Sequence, residues 1–160
     1  QAAEEGIETA DVITCCGGGG LTSGIAMALE AEVPSFKVRP AEPEGFDDVA
    51  RSLRAGAIQR NTAMTGSICD AIITPQPGAL TFPIMSRLCG AGLVVSEADC
   101  LRAMALAFER LRIVIEPGGA VALAAALFHG DQLNEDTIIV TASGGNVDRA
   151  MFERALATLE

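Results

Sequence analysis

The sequence predicts an α/β domain, a mostly parallel sheet with helices on both faces, and three observations carry that expectation. Short β-prone runs alternate with stretches of helical apolar spacing. A strand, a glycine loop and a helix follow one another between Asp11 and Ala31. A second strand comes directly after that helix, the order of a right-handed parallel crossover. With 160 residues, 49% of them hydrophobic, the chain suffices for one domain with a sizeable core.

Taken in order, "QAAEEG" at 1–6 reads as the tail of a helix; with no initiating Met it suggests a piece of a longer protein. Asp11 to Thr14 is a strand, and Leu21 to Ala31 a helix that Pro34 stops. Ser35 to Arg39 alternates as a second strand, before the turn-rich "PAEPEGFDD". Asp47 and Asp48 open a helix through Ala55, where acidic groups suit the positive end of the dipole. Gly56 to Gly66 is a polar loop and "PQPG" at 75–78 a turn. Thr81 can cap a helix from Phe82 to Leu88, with Pro83 in its first turn. "GLVVS" is a strand, and Ser96 with Asp99 resembles the paired groups of a helix start, ahead of a long helix over Ala98 to Arg112. Glu116-Pro117-Gly118-Gly119 is a break, Ala120 to Phe128 a small-residue helix, and "TIIVTASGG" a buried strand entering a glycine turn.

Composition narrows function. Against 11 basic residues stand 21 acidic ones, a net charge of -10 that repels nucleic acid and anionic membranes. No apolar run approaches the roughly 20 residues of a membrane span. The five cysteines form no Cys-x-x-Cys pair and their odd number leaves one unpaired, which suits a reducing cytoplasm and small buried hydrophobes.

Four consecutive glycines, Gly17 to Gly20, are costly in conformational entropy, so a backbone free of side chains must serve some purpose there. A nucleoside-triphosphate loop needs Lys followed by Ser or Thr after its last glycine; Leu21 and Thr22 stand there instead. A dinucleotide fingerprint is not met strictly, although Glu42 after the second strand mimics its ribose-binding acid. The third option is a phosphate monoester held by successive amides at a helix start.

"GGGGLTSGIA", "AEPEGFDD", "SICDAIITPQPGALTF", "GLVVSEAD", "EPGGAVALAAAL" and "SGGNVD", in this order and nearly filling the chain, resemble the C-terminal half of the fold-type II pyridoxal-phosphate enzymes. Within them the chain is most similar to the threonine/serine dehydratase and serine racemase branch. The resemblance implies that Gly17, Gly18, Gly19, Gly20 and Leu21 cradle the cofactor phosphate, and that the Ser143 hydroxyl faces the pyridine nitrogen. It also implies a Mg²⁺ or Ca²⁺ site from Glu42, the Phe46 carbonyl and Asp48, an oxygen-only set. A neutral hydroxyl does not stabilise a protonated pyridinium, which suits elimination of a β-hydroxyl. The expected activity is therefore dehydration of a small hydroxy amino acid to a 2-oxo acid, by a homodimer. Racemisation is the alternative within the family; a non-catalytic phosphate- or dinucleotide-binding domain is the alternative outside it.

"SFKVRP" at 35–40 resembles the family's Schiff-base segment, yet the family places that lysine upstream of the glycine loop, whereas Lys37 follows it inside a strand. Lys37 is the only lysine. The Schiff-base lysine and the smaller domain are thus expected outside this chain, and no catalytic residue is assigned within it. His129 at a helix end and Glu116 before "PGG" read as helix-terminal groups, and the resemblance would put Glu116 near the cofactor. Cys69, Ala71 and Gly118 depart from the more common family residues Ala, Gly and Ser.

Overall fold

A computed structural model describes residue 2 and residues 4–159. Four strands form one parallel sheet in the order β3-β2-β1-β4: β1 (Ala10–Cys15), β2 (Phe36–Pro43), β3 (Leu93–Val95) and β4 (Ile138–Val140). The helices are α1 (Gly20–Glu32), α2 (Asp48–Ala55), α3 (Thr81–Leu88), α4 (Glu97–Leu106), α5 (Pro117–Phe128) and α6 (Arg149–Leu156). Among the described residues no helix is long and apolar enough to cross a membrane.

Every residue of β1 is buried because both sheet faces are covered. Ala10 and Val12 join Phe36, Val38 and Ala26 of α1 on one face. Ile13 and Cys15 meet the alanine-rich α5 on the other, where α4 and α6 complete the layer. Residues 120, 122, 124 and 125 of α5 are fully buried alanines, and their small size lets the helix lie close to the sheet.

β2 is longer than its sequence pattern suggests. Alternation holds only around Lys37, after which burial is continuous through Pro43. Two prolines fit because of where their missing N–H groups would point. Cys16 donates to the Ala41 carbonyl and Gly90 to that of Val38, so odd positions of β2 face β1 and even positions face β3. Pro43 therefore faces β1 beyond its last paired residue, Cys15, and Pro40 faces the β3 side ahead of the first pair, Ala41 with Leu93. Beside Pro40, the Arg39 side chain takes up the link to the chain entering β3, its Nε donating to the Ala91 carbonyl at 2.7 Å. Arg39 also lies 3.6 Å from Asp11 in a buried ion pair.

Four further expectations are corrected. Thr81 does not cap α3; its hydroxyl donates to the Gly18 carbonyl, with that of Gly78 3.1 Å away, and the helix already includes residue 81. The break expected at 116–119 is the start of α5, which takes Pro117 in its first turn and then Gly118 and Gly119. The long helix keeps α geometry only to Leu106 and ends in a π turn over Ala107–Leu111, with Arg112 left-handed at φ 60. β4 is short and half-buried at one edge of this sheet. The helix tail expected at 1–6 falls partly outside the described residues, and 4–6 form a turn. Ser96 does start a helix, accepting from the Asp99 amide and donating to its carboxylate.

Candidate functional site

β1 delivers the chain to the glycine loop at the C-terminal end of the sheet. Gly19 adopts φ +91, a left-handed conformation, and its carbonyl accepts the first α1 bond from Ser23. The Gly18 carbonyl accepts from the Gly78 amide at 3.0 Å and the Thr81 hydroxyl at 2.5 Å. Among the described residues, none of the amides of Gly17 to Leu21 donates to a protein acceptor. These amides border a cleft of about 220 Å³ whose other walls include Cys15, Ile72, Thr74 and Ser143. Successive unpaired amides at the start of a 13-residue helix form an anion site by local dipole and hydrogen bond, despite the chain's net negative charge. A phosphate fits this cradle.

The glycines serve different needs. A Cβ at Gly17 would lie 2.8 Å from the Ile72 carbonyl, so residue 17 must be bare for the 3₁₀ turn Asp70–Ile72 to pack on the loop. At Gly19 the Cβ would strike the side chains of Met85 and Thr81 rather than the cleft. At Gly20 it would meet nothing within 4 Å.

Ser143 reaches the cleft from the far end of the chain because its loop is held by α5 and the residues that lead into it. A Cβ at Gly119 would lie 1.8 Å from the Ser143 carbonyl oxygen, so only glycine lets α5 approach this loop. Glu116 accepts from the Asn146 amide at 2.9 Å and donates its own amide to the Gly144 carbonyl at 3.2 Å. Cys15 donates its thiol to the Gly119 carbonyl, and burial pushes that thiol above its ordinary value, holding it as a neutral donor.

The acidic group lies at another helix start. Glu42 is fully buried, and its two oxygens accept from the amides of Val49 and Ala50 at 2.9 and 2.7 Å. Burial pushes its carboxyl up to about 8 against those two bonds. So placed, both Glu42 oxygens are engaged within the protein at the α2 start. Asp48 accepts from Asn61 Nδ2 at 2.6 Å through Oδ1, while Oδ2 is buried without a partner. Burial also raises the Asp48 carboxyl. Among the described residues no group of three or more His, Cys, Asp or Glu side chains is placed to hold a metal ion. Of the expected set of two carboxylates and the Phe46 carbonyl, the unpartnered Asp48 oxygen suits a cation, whereas Glu42 already serves α2.

Lys37 is exposed on the N-terminal half of β2 and does not line the cleft. His129 ends α5 with Nε2 3.3 Å from Asp99, joining α5 to the start of α4. Two residues near the site escaped the sequence reading. Asn61 lies in a stretch that reads only as loop, and Thr74 in a segment that carries the resemblance without a role of its own; their placement depends on hydrogen bonds across the fold.

A family model described as "Pyridoxal-phosphate dependent enzyme" matches residues 2–144. The chain is 40% identical over 156 residues to the serine racemase of Dictyostelium discoideum, covering 95% of this chain and 48% of that protein. It is 32% identical over 145 residues to the L-threonine ammonia-lyase of Thermotoga maritima, covering 91% and 36%. A crystal structure of the T.th. threonine deaminase superposes with a TM-score of 0.86 at 42% identity, over 92% of this chain and 54% of that one. Maize serine racemase superposes with a TM-score of 0.84 at 32% identity, over 99% and 49%. The chain thus spans about half the length of the relatives it matches. The parallel sheet, the order of its elements and this match over most of its length together make the chain a member of the fold-type II pyridoxal-phosphate-dependent enzymes.

Proposed function

We propose that the chain forms the phosphate-binding end of a pyridoxal-phosphate-dependent ammonia-lyase acting on threonine or serine. One observation carries the reading: the unpaired amides of Gly17 to Leu21 and residue Ser143 line one cleft at the start of α1. The bound cofactor supplies an electron sink for the substrate's α-carbon. The amides of residues 17–21 hold its phosphate, with the α1 dipole aiding the negative charge. Ser143 would offer the bound ring a neutral hydroxyl, which does not stabilise a proton on the ring nitrogen and so would suit departure of the β-hydroxyl. In the net reaction the α-carbon loses its proton and the β-hydroxyl leaves as water, the β-carbon then takes a proton, and a water oxygen replaces nitrogen at the α-carbon, releasing ammonium and leaving a 2-oxo acid.

In this reading the chain is the C-terminal half of the large domain, and the remainder of the enzyme supplies the lysine and the smaller domain. Of the set Glu42, Phe46 carbonyl and Asp48 expected for Mg²⁺ or Ca²⁺, only the unpartnered Asp48 oxygen favours a cation, since both Glu42 oxygens are engaged by the α2 amides. Racemisation of serine is the second reading, favoured by the 40% identity to a protein named serine racemase. The full-length enzyme, assayed with L-threonine and L-serine, should yield the corresponding 2-oxo acid and ammonium. D-serine without 2-oxo acid would establish the second reading, and neither product would end both.

A further inference from the structure

The cleft wall facing the glycine loop is tied to α2 by one side chain. Asn61 Nδ2 donates to Asp48 Oδ1 at 2.6 Å and to the Thr74 carbonyl at 2.8 Å. Its Oδ1 accepts from Arg51 Nη2 at 2.5 Å, and its backbone amide donates to the Pro75 carbonyl at 2.9 Å. Both amide hydrogens and the carbonyl of the side chain are thereby engaged. Four residues beyond Thr74, the Gly78 amide donates to the Gly18 carbonyl, and the Thr81 hydroxyl joins it there. A continuous path therefore runs from the start of α2, through Asn61 and the 74–78 segment, to the loop that presents the unpaired amides.

We propose that Asn61 is a positioning residue for the cofactor loop: by fixing residues 74–78 against α2 it sets the orientation of the Gly18 peptide, and with it the amides offered to a phosphate. The proposal rests on the reading that Gly17 to Leu21 bind the phosphate of pyridoxal phosphate. Orientation of the Gly18 peptide matters because its carbonyl and the following amide belong to one plane. Turning the carbonyl away from the cleft aims the Gly19 N–H the opposite way. Loss of the clamp leaves Asp48 Oδ1 and the Thr74 carbonyl without their shared donor and frees the 74–78 segment to move.

The test compares the wild-type chain with Asn61→Ala, and with Asn61→Asp as an isosteric variant that puts an acceptor against Asp48 and the Thr74 carbonyl. Two quantities are read. Equilibrium dialysis gives the affinity for pyridoxal phosphate, and amide NMR spectra without ligand report the loop itself. Both variants should bind pyridoxal phosphate about tenfold more weakly, the scale of losing an orienting partner behind a ligand-binding group. Both should also shift the Gly18, Gly19 and Gly78 amide resonances while keeping the wild-type far-ultraviolet circular dichroism. Arg87→Ala, which breaks an exposed ion pair with Glu30, should change neither. Unshifted loop amides in Asn61→Asp, or wild-type affinity in either folded variant, would overturn the proposal. If the wild-type chain bound no pyridoxal phosphate, the cofactor reading would fall, and the ligand-free spectra would still decide whether Asn61 positions the loop.

Discussion

The starts of α1 and α2 solve the same physical problem in opposite ways. Each leaves backbone amides without intrahelical acceptors, and each attracts negative charge. At α2 the protein brings its own acceptor: the Glu42 carboxyl accepts from Val49 and Ala50, and the end is closed. At α1 no side chain caps the helix, and the amides from Gly17 onward border open space. A helix start stays open to a ligand where the chain supplies no such acceptor, and at Gly20 the absence of a Cβ leaves that space clear.

The largest change should come from Gly19→Ala. The residue must hold φ +91, and its Cβ would press on Met85 and Thr81, so strain and overpacking together should cost about 3–4 kcal/mol. Urea unfolding would measure that loss, and dialysis should find no retained pyridoxal phosphate. Glu42→Ala should come next, at about 2–3 kcal/mol, because it strands two amides at a buried helix start. It should weaken pyridoxal-phosphate binding less than Asn61→Ala does, because it loosens the α2 start but leaves the Asn61 bonds to Asp48 and Thr74 in place. A loss as large as that of Asn61→Ala would show that Glu42, not Asn61, anchors the path to the loop. Gly20→Ala sharpens the contrast further. Its Cβ meets no protein atom, so stability should stay level or rise by up to about 1 kcal/mol, while affinity falls because that open space belongs to the phosphate. Unchanged affinity would move the phosphate elsewhere along the loop. Lys37→Ala should alter neither quantity, and borohydride treatment with cofactor should fix no label on Lys37.

The open helix start was legible in the sequence and the closed one was not. Four adjacent glycines are so costly that their presence alone asks for a ligand or a close approach. Glu42 reaches α2 from a strand, across a turn, and its acidic neighbours suggested a cation or a ribose rather than a cap. Gly118 and Gly119 looked like a helix break because local propensity cannot show that the Ser143 carbonyl occupies the space beside residue 119. Thr81 was placed one role away from its true one for a similar reason: its hydroxyl serves the Gly18 carbonyl, 63 positions earlier, rather than its own helix. The parallel crossover could be read because it depends on the order of elements. Asn61 could not, because its meaning lies in four partners brought together only by folding.

The two prolines of β2 also decide how the sheet can misassemble. A strand that slid along β2 toward its N-terminus would meet Pro40, which offers no hydrogen to the incoming carbonyl, and one that crossed past Cys15 on the other side would meet Pro43 in the same condition. Each neighbour thus has a stop at one end of its run, and slippage is blocked by chemistry rather than by side-chain fit. At the first stop the guanidinium of Arg39 bonds the Ala91 carbonyl, so the chain entering β3 is fastened by a side chain, a fastening that a point substitution can remove without touching the main chain.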